Sequence, residues 1–67
     1  MSEGTVLWFN YQKGYGFVAS EKLEGEIFIH HSEFSDSNIF LHAGTEVLFD
    51  TVPGEKGLKA TNVKIKE

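Results

Sequence analysis

The side chains of this sequence that can do chemistry are mostly flat rings, and they are grouped. The segment "KGYGFV" (13–18) places Tyr15 and Phe17 two positions apart behind Lys13, with a glycine before each ring. "IFIHHS" (27–32) places Phe28 and His30 two positions apart, with His31 next, and Trp8 lies in "GTVLWFN" (4–10). Side chains at i and i+2 of an extended strand point to the same face, so each segment presents its rings side by side. A row of that kind suits stacking against another flat group, and a nearby lysine suits an anion. His30, His31, Glu33 and His42 are also residue types of a metal or acid–base site. Neighbouring strand residues point to opposite faces, so His30 and His31 are predicted to be poorly placed for joint chelation. No catalytic, metal or cofactor site is assigned, and an enzyme is not expected.

The elements that hold these rings must come from 67 residues, enough for a single domain spanning 1–67. A chain this short buries only about 60% of its unfolded surface and has little stability to spare. It has no cysteine, so disulfides and thiolate zinc sites are excluded. That composition fits a reducing cytosol. No apolar run approaches the ~20 residues of a membrane span, and "MSEGTV" lacks a signal layout, so a cytoplasmic protein with no membrane partner is expected. Six lysines against ten acidic residues give a net charge of −4, which argues against binding nucleic acid chiefly through phosphates. Aromatic residues make up 13% of the chain. Any flat ligand would therefore be held by rings more than by charge.

Along the chain, short runs of strand composition alternate with Gly, Asn, Asp, Ser or Pro. They cover 4–10, 15–20, 27–32, 45–52 and 58–66, with a longer connection at 33–44 that has room for one short turn of helix. Five short strands joined by brief turns predict an all-β fold, a small antiparallel barrel that closes to hide its edges. Ile27, Ile29, Val18, Val47, Phe49 and Val63 are the expected core. If strands two and three form a hairpin, Tyr15, Phe17, Phe28 and His30 share the outer face. Trp8 joins them if the first strand bends, which its period-2 pattern cannot settle.

Such a patch has an ordinary explanation, since aromatic cross-strand pairs stabilise a sheet by roughly 0.2–1 kcal/mol each. Four or five rings on one face of a small domain exceed that need, and a contiguous apolar patch marks a binding surface for a protein, a peptide or an unpaired base. Gly14 and Gly16 remove side chains beside the rings, which would let a ligand backbone come close, although a tight turn and a strand bend use glycine equally well. Lys13, Lys56 and Lys59 lie in or near loops. Stacking one base contributes about 1–3 kcal/mol, so four stacks total about 8 kcal/mol gross. That is the scale of a micromolar complex.

"KGYGFV" also matches the first six positions of the aromatic RNA-binding motif K/R-G-F/Y-G/A-F-V-x-F/Y, with Ser20 in place of the final aromatic. The RNA-recognition-motif domain carries its shorter second motif before this one and needs helices. Here "IFIHHS" comes after, and no helical pattern exists. The chain resembles instead a cold-shock domain, a five-stranded antiparallel barrel of the OB type. "GTVLWFN", "KGYGFV", "IFIHHS", "AGTEVLFD" and "GLKATNV" carry the likeness from about Gly4 to Lys64. The resemblance implies single-stranded RNA and DNA as partners, with low sequence selectivity and often a pyrimidine preference. It implies an RNA chaperone, with roles in cold adaptation and gene regulation. The family's binding positions fall on Trp8, Tyr15, Phe17, Phe28, His30 and His31, with Lys13 and Lys56 as basic support and Asn10 as a polar contact. No cofactor or small-molecule substrate is implied, and a monomer is expected, with a strand-exchanged dimer as the variation. The alternative is a small β-barrel that binds a peptide or protein.

Three departures stand out. Leu7 replaces a common lysine, and His31 replaces a phenylalanine with a titratable ring. The stretch "SDSNIFLHAG" is shortened or shifted, so the family's loop aromatic corresponds to Phe40 or is missing. Tyr11 either adds a ring beside the platform or is an exposed loop tyrosine with no role.

Overall fold

The computed structural model describes residues 1–23, 25–36, 39–55 and 57–66. Five strands form: β1 (Ser2–Asn10), β2 (Tyr15–Ala19), β3 (Glu26–His30), β4 (Glu46–Gly54) and β5 (Gly57–Ile65). All five lie where the sequence pattern puts them. The third ends at His30, two residues earlier than expected, because His31–Glu33 turns into a single 3-10 turn. Local hydrogen bonds replace the ladder there. The Ser32 N–H donates to His30 Nδ1 at 3.2 Å, and the Phe34 N–H donates to the His31 carbonyl at 3.2 Å.

The strands close into a barrel in the order β1-β2-β3-β5-β4. β1 pairs antiparallel with β2 through its second half and with β4 through its first, and β2–β3 and β4–β5 are antiparallel hairpins. The seam between β3 and β5 is parallel, through Phe28 and Lys59. The sequence-based expectation of a five-stranded antiparallel barrel of the OB type is met, with this seam as its one parallel pairing. A ring antiparallel at every step is unattainable with five strands, since an odd number cannot alternate direction all the way round. One seam must be parallel, and the fold places it where β4 is skipped.

Inside lie Val6, Val18, Ile27, Ile29, Leu41, Val47, Phe49, Ala60 and Val63, each at most 1% exposed. Every residue of the predicted core is among them. Full burial of one such large side chain is worth about 1.5–3 kcal/mol, and Phe49 is the largest. Leu41 arrives from the long connection, which explains how a stretch with no strand period still belongs to the core. Phe9, Leu23, Phe34, Ile39 and Leu58 pack around its edge.

Two bulges shape the barrel. In β1, Val6 pairs with Val18 and Trp8 with Phe17, so Leu7 is an extra residue without a partner. In β5, Asn62 and Val63 oppose Phe49 alone, and Asn62 takes φ 53°, a left-handed conformation that asparagine tolerates. The chain ends are tied by Lys66 Nζ, which donates to Glu3 Oε2 at 2.9 Å. The hydrogen bond to Glu3, and then its charge, raise the Lys66 pKa above the usual lysine value. Among the described residues no helix is long and apolar enough to cross a membrane.

Candidate nucleic-acid interface

The outer face of β1, β2 and β3 is a continuous field of rings. Antiparallel pairing sets Tyr15 opposite His30 and Phe17 opposite Phe28, while Gly16 and Val18 oppose Ile29 and Ile27 on the inside. Alternation alone produces this sorting. Tyr15 and Phe28 stack offset at 5.7 Å with planes 27° apart, and Phe17 meets Phe28 edge-on at 5.8 Å. Phe28 and His30 are 6.5 Å apart with planes 24° apart. Each of these four rings is half-buried, so one side packs on neighbours and the other faces solvent.

Trp8 joins this face because of the β1 bulge. Without the extra residue Leu7, Val6 and Trp8 would share a side. Instead Val6 is 1% exposed and Trp8 is 42% exposed. The indole sits 5.7 Å from Tyr15 and 5.4 Å from Phe17. Leu7, exposed at the bulge, supplies no charge to the platform.

His31 ends the row in an unexpected way. As a strand residue it would point away from His30, but the 3-10 turn begins there and brings the two imidazoles to 4.4 Å. The argument from strand geometry against their meeting therefore fails. Gly14, at φ 77°, makes room for this ring, since a Cβ at Gly14 would lie 2.4 Å from His31 Cδ2. The His31 N–H also donates to the Gly14 carbonyl at 3.0 Å. Gly16 serves the chain as well, because a Cβ there would lie 2.2 Å from the Trp8 carbonyl oxygen. Both glycines let the protein's own strands and rings approach each other, rather than leaving space beside the rings for a ligand.

His30 is held by Ser32, whose N–H and hydroxyl lie 3.2 and 2.8 Å from Nδ1. With Nδ1 accepting from the Ser32 N–H, the neutral ring carries its proton on Nε2 and can donate outward. Among the described residues no three His, Cys, Asp or Glu side chains gather closely enough to hold a metal ion.

The polar residues divide by role. Asn10 Oδ1 accepts from the Lys13 N–H at 3.0 Å, and the Asn10 carbonyl accepts from the Gly14 N–H at 2.7 Å. Asn10 thus builds the β1–β2 turn, which leaves the exposed Lys13 at the platform's edge. Lys56 lies outside the described residues. Lys59 stands next to Phe28 across the parallel seam, and its stem passes over Gly54, where a Cβ would meet Lys59 Cδ at 2.7 Å. It lines a groove from Phe17 and Phe28 to the hairpin tip, with Glu26, Glu55 and Leu58. The seam could have been anticipated from the odd strand number, but its register could not, which is why Lys59 was seen only as a loop-side cation.

Phe40 belongs to another group. It stacks on Tyr11 at 4.6 Å with planes 14° apart and neighbours His42 at 6.4 Å. Tyr11 in turn lies 4.8 Å from Phe9. Rings therefore occupy two rows, one on the β1–β2–β3 face and one leaving the turn that follows β1.

The comparisons with known proteins agree with this architecture. The family profile described as the 'Cold-shock' DNA-binding domain matches residues 2–66. The major cold shock protein of Micrococcus luteus is 44% identical over 64 residues, covering 94% of this chain and 96% of that one. A cold shock protein of Arthrobacter globiformis is 38% identical over 66 residues, covering 97% and 98%. Among solved structures, the Drosophila Unr CSD456 superposes with a TM-score of 0.83 at 24% identity, over 98% of this chain and 26% of that one. The five-stranded barrel, the order of its motifs and these relatives make the chain a member of the cold-shock domain family.

Proposed function

We propose that this protein binds single-stranded RNA and DNA by stacking unpaired bases on Trp8, Tyr15, Phe17, Phe28, His30 and His31. The observation that carries the reading is the unbroken sequence of ring contacts across one solvent-facing sheet surface. Bases in a duplex are already stacked on each other and offer no free face. The platform therefore selects unpaired strands, and it tolerates any base because every base has a π-face. Lys13 and Lys59 flank the rings and meet phosphates, with Lys56 next along the chain as a further cation. His30 donates from Nε2 to a base or phosphate oxygen. No step makes or breaks a covalent bond, so binding is the whole activity.

In the cell this chemistry makes an RNA chaperone. A protein that binds only the open strand shifts the folding equilibrium of a transcript by its differential affinity. Regulation of gene expression during cold adaptation follows from the same act, because RNA secondary structure strengthens as temperature falls.

The test uses Trp8, the only tryptophan. Titration with a short oligothymidine is expected to quench its fluorescence saturably, whereas a duplex of equal length leaves it unchanged. No quenching by thymidine, cytidine or mixed single strands would refute the reading and favour a peptide or protein as the ligand of these rings.

A further inference from the structure

The second row of rings has a construction of its own. Phe34, Phe9, Tyr11 and Phe40 follow one another at 5.5, 4.8 and 4.6 Å. The last pair differs from the others in being stacked face to face, with planes only 14° apart. It also differs in exposure, with Tyr11 at 46% and Phe40 at 67%. Two exposed rings from distant parts of the chain stay stacked only if something holds them.

Tyr11 is held from its own side. Phe9, which packs against the core, lies beside it, and the hydrogen bonds of Asn10 fix the turn that carries it. From that base the Tyr11 hydroxyl accepts a hydrogen bond from the Leu41 N–H, and the Leu41 side chain is fully buried. One tyrosine thus fixes the ring of Phe40 by stacking and the backbone behind it by a hydrogen bond. The ring of Phe40 also lines an open groove with Ile39, Leu48, Asp36 and Lys64, which leaves room for a flat group beside the ring.

The resemblance already offers Phe40 as the family's loop aromatic, a stacking ring beyond the β1–β2–β3 platform; we propose that Tyr11 is a positioning residue for single-strand binding, holding that ring preformed by stacking on it and by accepting the Leu41 N–H. This rests on the single-strand reading above. A ring on an unrestrained loop loses conformational freedom when it stacks, which weakens binding. Tyr11 removes that loss before the strand arrives.

The experiment compares oligothymidines of four and eight nucleotides, within the range of about 4–16 nucleotides taken by one OB-type fold. The quantity read is the gain in affinity from the shorter strand to the longer. Phe40→Ala is expected to cut that gain about tenfold, the scale of one base stack. Tyr11→Ala is expected to cut it nearly as much, and the double variant no further than Phe40→Ala. Tyr11→Phe keeps the ring and loses the hydroxyl, so an intermediate loss of about threefold is expected, and it decides the matter if Tyr11→Ala does not fold. The proposal is overturned if both Tyr11 variants keep the wild-type gain, even with a lower Tm, because Tyr11 then only staples the loop. It is overturned equally if the two alanine losses add, because Tyr11 then contacts the strand itself. Wild-type protein that binds neither strand defeats the underlying reading, and wild-type binding with unaffected variants defeats this proposal alone.

Discussion

Phe28 is the centre of the platform, so its removal separates stacking on a ligand from stacking within the protein. Its ring touches Tyr15, Phe17 and His30 at 5.7, 5.8 and 6.5 Å, and its backbone borders both β2 and β5. On the proposed stacking mechanism, Phe28→Ala deletes one base stack, worth about 2 kcal/mol within the usual 1–3. That converts to about 30-fold weaker single-strand binding. It also deletes the cross-strand ring contacts, a loss of about 1 kcal/mol. A loss of that size lowers Tm by about 4–8 °C in a domain this small. Truncating a fully buried ring such as Phe49 would cost about 3–5 kcal/mol, so the Phe28 variant stays folded under conditions that unfold the core variant. Phe28→Leu restores apolar contact without a π-face, and it is expected to recover most of the Tm and little of the affinity. Trp8 quenching titrations and thermal unfolding of the same samples give both quantities. Phe28→Leu and Phe28→Ala binding oligothymidine within about twofold of wild type would refute the stacking argument, since twofold is under half a kcal/mol.

Two further outcomes follow from charge. With two or three phosphates neutralised, the log–log dependence of affinity on salt is expected to have a slope of about −1.4 to −2, and a slope beyond about −4 would show that charge, not stacking, dominates. The Lys66 pKa is raised in the folded protein by Glu3, so its contribution to stability is present below the unfolded lysine pKa and is lost as pH rises through the folded one. The Tm difference between wild type and Glu3→Gln is therefore expected to shrink as pH rises past about 10.4, the ordinary lysine value, and to vanish only above the raised folded value, and a difference that stays constant through that range would assign the effect to something other than this pair.

Which parts of this molecule were legible in the sequence depends on how local their causes are. Tyr15, Phe17, Phe28 and His30 sort outward, and Val18, Ile27 and Ile29 inward, by the alternation of uninterrupted strands, so period-2 reasoning finds them. Trp8 escapes it because the bulge at Leu7 exists only in relation to β2. The meeting of His30 and His31 escapes it for a related reason: Ser32 ends the strand by bonding to His30, and a rule for strands was applied one residue too far. Gly14 and Gly16 announce that something comes close, but not whether it is a ligand or the protein itself. The sequence offers Phe40 as the family's loop aromatic and Tyr11 as a ring beside the platform, but nothing in it pairs the two. Their pairing depends on the long connection folding back over the turn, for which no periodic signal exists.

The acidic balance of the chain and its proposed partner are compatible because of where selectivity has to come from. A strongly basic surface gains affinity from phosphates, which duplexes carry at least as densely as single strands, so charge alone does not select the single strand. Stacking depends on unpaired bases, and an acidic background with Glu26 and Glu55 beside the groove at Phe17 and Phe28 holds down the unselective term. The proposed chaperone role then has a bounded strength. At a free concentration 100 times its Kd, one bound protein favours the open strand by about 2.7 kcal/mol. A stacked base-pair step of a DNA duplex is worth about 1.4 kcal/mol on average, so by that scale each bound protein offsets about two steps. Short or imperfect hairpins would open under that load and long helices would not, and release would need no energy source because the binding never departs from equilibrium.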